Sequence, residues 1–103
     1  MKMYILVKDD VPLGLAMTAV AHAVAAACLE WAGDAQFEEW RHTSFKKVVC
    51  RVNQKEFDRV KEECGEIVVM TESALDGAET AIAFNPRHDE DWPKTARFWR
   101  LYK

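Results

Sequence analysis

The chain has 103 residues, of which 50% are hydrophobic, so it is long enough for one compact domain and too short for two. Its 30% of charged residues, four Trp and low Gly and Pro content exclude a disordered or fibrous class and are typical of a folded protein. Because 17 acidic side chains outnumber 14 basic ones, the formal net charge is −3, and a nucleic acid would have to bind a local basic patch.

The first predicted element is a strand over residues 3–8, an apolar run of strand length that ends at two acidic residues. Residues 11–29 contain no charged side chain, and a run of about 20 apolar residues is long enough to span a bilayer. Ala dominates this run, Pro and Gly open it and two acidic residues precede it, which argues against a membrane span and a secretory signal. We therefore predict a helix over residues 15–32, buried against a sheet, with Thr18 as its cap and Gly33 as its stop.

The rest of the chain alternates between helical and strand patterns. The remaining predicted elements are a short helix capped by Asp34, a strand over 45–52, an amphipathic helix over 53–64, and strands over 66–71 and 80–84. The Trp-rich tail from residue 86 is expected to pack against the body. The order β-α-α-β-α-β-β predicts a layered α/β domain with helices on both faces of a small mixed sheet.

Two predicted loops are candidates for a ligand site, because ligands bind beyond the carboxyl ends of parallel strands, where helix N-termini also converge. The first loop ends at Thr18 and contains Asp10, and the second follows the third strand and contains Glu72 and Ser73. A carboxylate in such a loop can act as a general base or orient a water. The alternative is that both loops are ordinary solvated turns, in which polar side chains are equally typical.

His22 is a further candidate, one turn after Thr18 in a helix made mostly of Ala. A neutral imidazole buried among apolar groups needs a hydrogen-bond partner. His22 is therefore either a core histidine that links the helix to its neighbours, or an acid/base or substrate-orienting group. The sequence contains no phosphate-loop, dinucleotide or α/β-hydrolase motif and no His/Cys spacing typical of a metal site, so we expect neither cofactor nor metal.

Basic residues are concentrated in two segments. Four of them lie between Arg41 and Arg51 with no acid among them, including Lys46 and Lys47, and four more follow the last acidic residue of the tail. If the segments meet in space, they form a basic face large enough for several phosphates. The alternative is that they are solvated side chains on strand edges and a terminal segment.

The order of these motifs resembles that of the type 2 peptidyl-tRNA hydrolase family nearly end to end. The opening Met3-Tyr-Ile-Leu-Val-Lys-Asp-Asp10 resembles the family's first strand and acidic loop, and His22-Ala23 resembles the end of its Ala-rich segment. The other similar positions are Gly14, Trp40, Lys47-Val48-Val49, the segment from Thr80 to Pro86, and Leu101-Tyr102. The resemblance implies a three-layer α/β/α sandwich around a four-stranded mixed sheet, one such domain over residues 1–103, and a homodimer.

The resemblance also implies an activity, hydrolysis of the ester bond between peptide and tRNA. For this activity the expected catalytic residues are Asp10, His22, Glu72 and Thr80, and the expected substrate-binding residues are Thr18, Ser73, Lys46, Lys47 and Arg51. Glu72 or His22 would be the base for the attacking water, and the helix N-terminus near Thr18 would stabilise the oxyanion. The expected partner is tRNA or peptidyl-tRNA, in the cytoplasm and away from membranes.

One departure from the family pattern bears on that activity. Where the family has Gly-Lys-Gly-Lys in its first loop, with a lysine regarded as catalytic, this chain has Gly14-Leu15-Ala16-Met17-Thr18. A lysine holds a phosphate or an oxyanion through its charge, which Leu and Met lack. The alternative function is therefore a non-catalytic or differently specialised module on the same fold that binds a small ligand or a protein.

Overall fold

The fold was obtained as a computed structural model that describes residues 1–103. Its strands are β1 (Met3–Lys8), β2 (Lys47–Val52), β3 (Ile67–Glu72), β4 (Ala78–Phe84) and β5 (Arg100–Leu101). Its helices are α1 (Leu13–Trp31), α2 (Ala35–His42) and α3 (Gln54–Glu63), with short 3₁₀ turns at Ser73–Leu75, Asp89–Asp91 and Lys94–Phe98. Each predicted helix and strand is present, within a few residues of its expected bounds.

The strands form one mixed sheet in the order β3-β4-β1-β2-β5, in which β1 and β2 are parallel and the other neighbouring pairs are antiparallel. The predicted three-layer α/β/α architecture is confirmed, but the sheet has five strands where four were expected. The fifth strand forms because the tail turns back along β2, where Leu101 pairs with Cys50 and Arg100 with Arg51.

Successive side chains of β1 point to opposite faces of the sheet, so this apolar strand buries side chains on both faces. Met3 and Ile5 belong to the cluster with Trp31 of α1 and Trp40 of α2, whereas Leu6 belongs to the cluster on the opposite face, with α3 and the tail. Trp99 anchors the tail there, stacked on Phe84 at a centroid distance of 5.5 Å. The expectation that the tail packs against the body is confirmed.

The structure corrects two expectations about α1. Its N-cap is Pro12, and Thr18 lies in the second turn, where its hydroxyl donates to the Gly14 carbonyl at 3.3 Å, so Thr18 is not the cap. The helix is also not buried on all sides. One face packs on β1, β3 and β4 through Ala16, Ala19, Ala23, Ala27 and Trp31.

The opposite face of α1 is exposed, and it includes His22 and Leu29. His22 is therefore a surface residue, and the expectation that its imidazole is buried was wrong. By length and composition α1 is apolar enough to cross a membrane, a test that core helices of soluble proteins also pass. In this fold its Ala face covers the sheet, as the prediction of a helix packed on a sheet required.

Asn85, just after β4, links the amino ends of α2 and β3 by hydrogen bonds. Its side chain is buried, and its Nδ2 donates to the carboxylates of Asp34 and Glu66 at 3.2 and 3.1 Å. The same Asp34 oxygen accepts the Phe37 backbone N–H, which confirms Asp34 as the cap of α2. These two hydrogen bonds hold the pKa of Asp34 below its ordinary value of 3.8, because both favour the ionised carboxyl. The bond from the Asn85 amide has the larger effect, and the bond from the Phe37 N–H the smaller.

We expect Asp34→Asn to change how stability depends on pH, since it keeps a capping oxygen and removes the charge. The pKa of Asp34 is lower in the folded than in the unfolded state, so its charge stabilises the fold fully at higher pH and less as the pH falls below about 4. In urea unfolding followed by circular dichroism, the difference in unfolding free energy between parent and variant should shrink from about pH 5 to about pH 2. A difference that is constant across this range would contradict the assigned role.

Candidate functional site

The carboxyl ends of β1, β2 and β3 lie at one edge of the sheet, termed here the carboxyl edge. β1 is parallel to β2, and β1 and β3 are both antiparallel to β4. Ala81 of β4 pairs with Val7 on one side and Met70 on the other, and Val7 pairs with Arg51, so these four residues form one row across the sheet. Both predicted loops therefore leave the sheet at the same edge, as expected.

The first loop is a tight turn that leads directly into α1. The Val11 N–H donates to the Lys8 carbonyl at 3.2 Å, and the Asp9 N–H donates to Val52 at 2.8 Å, which fixes the loop against the end of β2. Asp10 lies exposed at its tip. Because Pro12 supplies no capping side chain and the first turn of α1 contains no acid, the free N–H groups there keep their partial positive charge.

The second loop uses its carboxylate to hold its own shape. Glu72 Oε2 accepts the Ala74 N–H at 2.9 Å and the Ser73 hydroxyl at 3.3 Å. These two bonds engage Oε2 and leave Oε1 of Glu72 without a hydrogen-bond partner in the protein, so that oxygen is free to bind a water. Ser73 itself is exposed.

Thr80 lies in a β-bulge between β3 and β4. Met70 pairs with Ala81 and Thr71 with Glu79, which leaves Thr80 as the extra residue on β4. Its side chain is only 1% exposed, and its hydroxyl donates to the Met70 carbonyl at 3.3 Å. Thr80 therefore shapes the strand pair behind the second loop and presents no hydroxyl at the surface.

The predicted catalytic residues are only partly brought together. Asp10 and Glu72 both lie at the carboxyl edge, on strand ends separated by two strand spacings, or about 10 Å. His22 lies about 14 Å along α1 from its first residue. No hydrogen bond or ion pair joins His22 to Glu72 or to Asp10.

The basic residues between Arg41 and Arg51 are close in the sequence but are spread along the length of β2. Lys46 and Lys47 lie at the start of this strand, about 13 Å from Arg51 near its end. Lys47 Nζ lies 3.2 Å from the centroid of the Phe45 ring and donates to the Phe45 carbonyl. Arg51 alone reaches the carboxyl edge.

Tail residues complete a basic cleft around Arg51. The cleft has a volume of about 400 Å³ and is lined by Asp9, Arg51, Arg100, Leu101 and Lys103. The Arg51 guanidinium carbon lies 5.1 Å from the centroid of the Tyr102 ring. The two basic segments therefore do meet, but only through Arg51.

An apolar groove lies next to the basic cleft. Its volume is about 410 Å³, and its lining residues are all hydrophobic: Leu13, Ala16, Met17, Val20, Val49 and Tyr102. The four α1 residues follow the spacing of a single helix face, and the Tyr102 N–H donates to the Val49 carbonyl at 2.9 Å, which fixes the opposite wall. The sequence did not predict this groove, because its opposite wall depends on the pairing of the tail with β2.

Comparison with protein families matches residues 1–102 to the family described as Peptidyl-tRNA hydrolase PTH2. The match includes β1, both loops of the carboxyl edge, α1 and nearly all of the tail. No curated protein matches the chain.

Proposed function

The chain belongs to the peptidyl-tRNA hydrolase PTH2 family, and on that basis we propose that it hydrolyses the ester bond between peptide and tRNA. The observation that carries this proposal is the family match over residues 1–102 of a 103-residue chain, which we treat as one domain. We also propose that it acts in the cytoplasm and not on a membrane, since its substrate arises from translation.

In the proposed reaction a water adds to the ester carbonyl at the carboxyl edge. The bond between that carbon and the 3′ oxygen of the terminal ribose then breaks, which releases a peptide carboxylate and a tRNA with a free hydroxyl. The free N–H groups in the first turn of α1, between Leu13 and Leu15, are the proposed donors to the oxyanion. Thr18 is one turn further on, so its proposed role is contact with the substrate.

Glu72 is the proposed base for the attacking water, because it lies at the carboxyl edge with one carboxylate oxygen free. His22 is the other proposed base, supported by its exposed imidazole but placed further along α1. Asp10 and Ser73 are proposed to orient the water and the ribose, and Thr80 to hold the bulge behind Glu72.

The phosphates of the tRNA are proposed to bind the basic cleft through Arg51, with Arg100 beside it. Lys46 and Lys47 are proposed to contact phosphates further along the tRNA, because they lie too far from Arg51 to share one phosphate with it. These contacts are local, which is compatible with the overall charge of −3.

A second function is favoured by two observations. The first loop contains no lysine, and the basic cleft and the apolar groove contain neither His22 nor Glu72. A module that binds the same kind of ligand without hydrolysing it would have this arrangement. The activity assay below distinguishes the two functions.

We further propose a homodimer in which two copies pair through the outer edge of β3. This strand is at the end of the sheet, contains no charged residue from Ile67 to Thr71, and has a row of backbone groups that no other strand pairs with. Antiparallel pairing of β3 with its own copy satisfies those groups around a twofold axis.

We expect the purified protein to release peptide from N-acylated aminoacyl-tRNA, and Glu72→Gln to lower kcat by about 100-fold or more if Glu72 is the base. His22→Ala serves as the matched test, because an exposed side chain can be removed at little cost to stability. Whichever variant loses activity while it melts normally identifies the base. No release above the blank by the parent protein would contradict the hydrolase proposal.

Arg51→Gln should weaken binding of deacylated tRNA and reduce the slope of log affinity against log salt concentration by roughly one, as expected for one lost phosphate contact. The control is Arg59→Gln, which removes an exposed Arg on α3 that lines neither the basic cleft nor the apolar groove. Equal slopes for the parent and Arg51→Gln proteins would show that Arg51 binds no phosphate.

Thr71→Lys should convert the dimer to a monomer, because Thr71 is the exposed residue of β3 and the change places like charges close together when β3 pairs with its copy. Thr71→Val keeps the β-branched shape without the charge and should leave the dimer intact. Sedimentation equilibrium measures both variants, with thermal melting to confirm that each one folds. A parent protein that is monomeric at every accessible concentration would rule out the proposed dimer.

A further inference from the structure

The apolar groove and the basic cleft meet at a single contact in the tail. Tyr102 forms one wall of the groove, and its ring lies against the guanidinium of Arg51, which lines the cleft. Leu101 lines the cleft and Tyr102 the groove, so consecutive residues face the two sites. A ligand that fills both sites must carry an apolar group close to an anionic one.

The lining of the groove restricts which apolar group fits. Apart from the Tyr102 hydroxyl, the lining side chains carry no polar atom that could pair with a ligand. A nucleobase or a peptide backbone would leave most of its polar groups without a protein partner there, at a cost in free energy. An aliphatic or aromatic side chain has no such groups and gains from burial against this surface.

We propose that the apolar groove binds the side chain of the amino acid esterified to the tRNA, while Arg51 and Arg100 hold the neighbouring phosphate. In such a ligand the side chain and the 5′ phosphate of the terminal nucleotide are separated by one ribose, which matches two adjoining sites. The inference rests on the proposed function for the identity of the substrate. It adds a preference, for peptidyl groups that end in an apolar amino acid.

The preference is tested by binding alone, with two probes that cannot be hydrolysed. Each is a short RNA ending in CCA that carries an N-acetylated amino acid through an amide at the 3′ position, leucine in one and aspartate in the other. Fluorescence anisotropy should show the leucine probe binding about tenfold more tightly than the aspartate probe. Met17→Gln, which places a polar group of similar size in the groove, should reduce the ratio of the two affinities by about threefold or more.

Leu29→Gln is the matched control, since Leu29 is an exposed apolar residue on α1 outside the groove, and it should leave the ratio unchanged. Equal binding of the two probes, or tighter binding of aspartate, would overturn the proposal. A Met17→Gln variant that changes the sedimentation of the protein but not the ratio would also overturn it, because the groove would then be a contact between copies.

An ester-hydrolysis assay with leucyl and aspartyl substrates distinguishes failure of the groove proposal from failure of the proposed hydrolase function. Release of both peptides with the same kcat/KM would support the hydrolase proposal and show that the groove does not select the substrate. No release of either peptide, together with a tenfold binding preference, would support the groove and assign the protein to the binding module.

Discussion

The parallel pairing of β1 with β2 is the constraint on which the rest of the structure depends. Six residue pairs, from Met3 with Lys47 to Lys8 with Val52, align the two strands so that both end at the carboxyl edge. A parallel pair needs a crossover connection, and α1 and α2 supply it on one face of the sheet. This pairing places the start of α1 beside the end of β2, where Asp9 bonds to Val52. It also leaves the outer edge of β2 open for the tail.

The basic cleft and the apolar groove form because the tail pairs with the open outer edge of β2. Because β5 is antiparallel to β2 and pairs with Arg51 and Cys50, the next residue, Tyr102, lies beside Val49. Consecutive tail residues thereby supply both sites, Arg100 the basic lining and Tyr102 the apolar wall. The overall charge of −3 gives no hint of this, since the cations that matter are brought together only by folding.

Much of the fold follows from local signals, whereas the arrangement of the site does not. Asp34 could be identified as the cap of α2 because the hydrogen bond that defines it is made within one turn of that helix. The exposed side of α1 could not be identified, because Ala lines its buried face and also occurs on its exposed face. The sequence therefore left His22 as either a core histidine or a site residue, and its position at the surface excludes the first alternative. Similarly, β5 has two residues, too few for any periodic pattern, so the meeting of Arg51 with Arg100 and Tyr102 depended on a register that the sequence does not display.

We propose that the carboxyl edge, between α1 and the tail, binds the acceptor end of tRNA. This binding is tested most directly by recording backbone amide chemical shifts of the intact protein during titration with a short single-stranded RNA ending in CCA. We expect the largest changes in residues 13–20, 49–52 and 100–102. Changes confined to the region of Lys46 and Lys47, or to the outer face of α1 around Leu29, would contradict it.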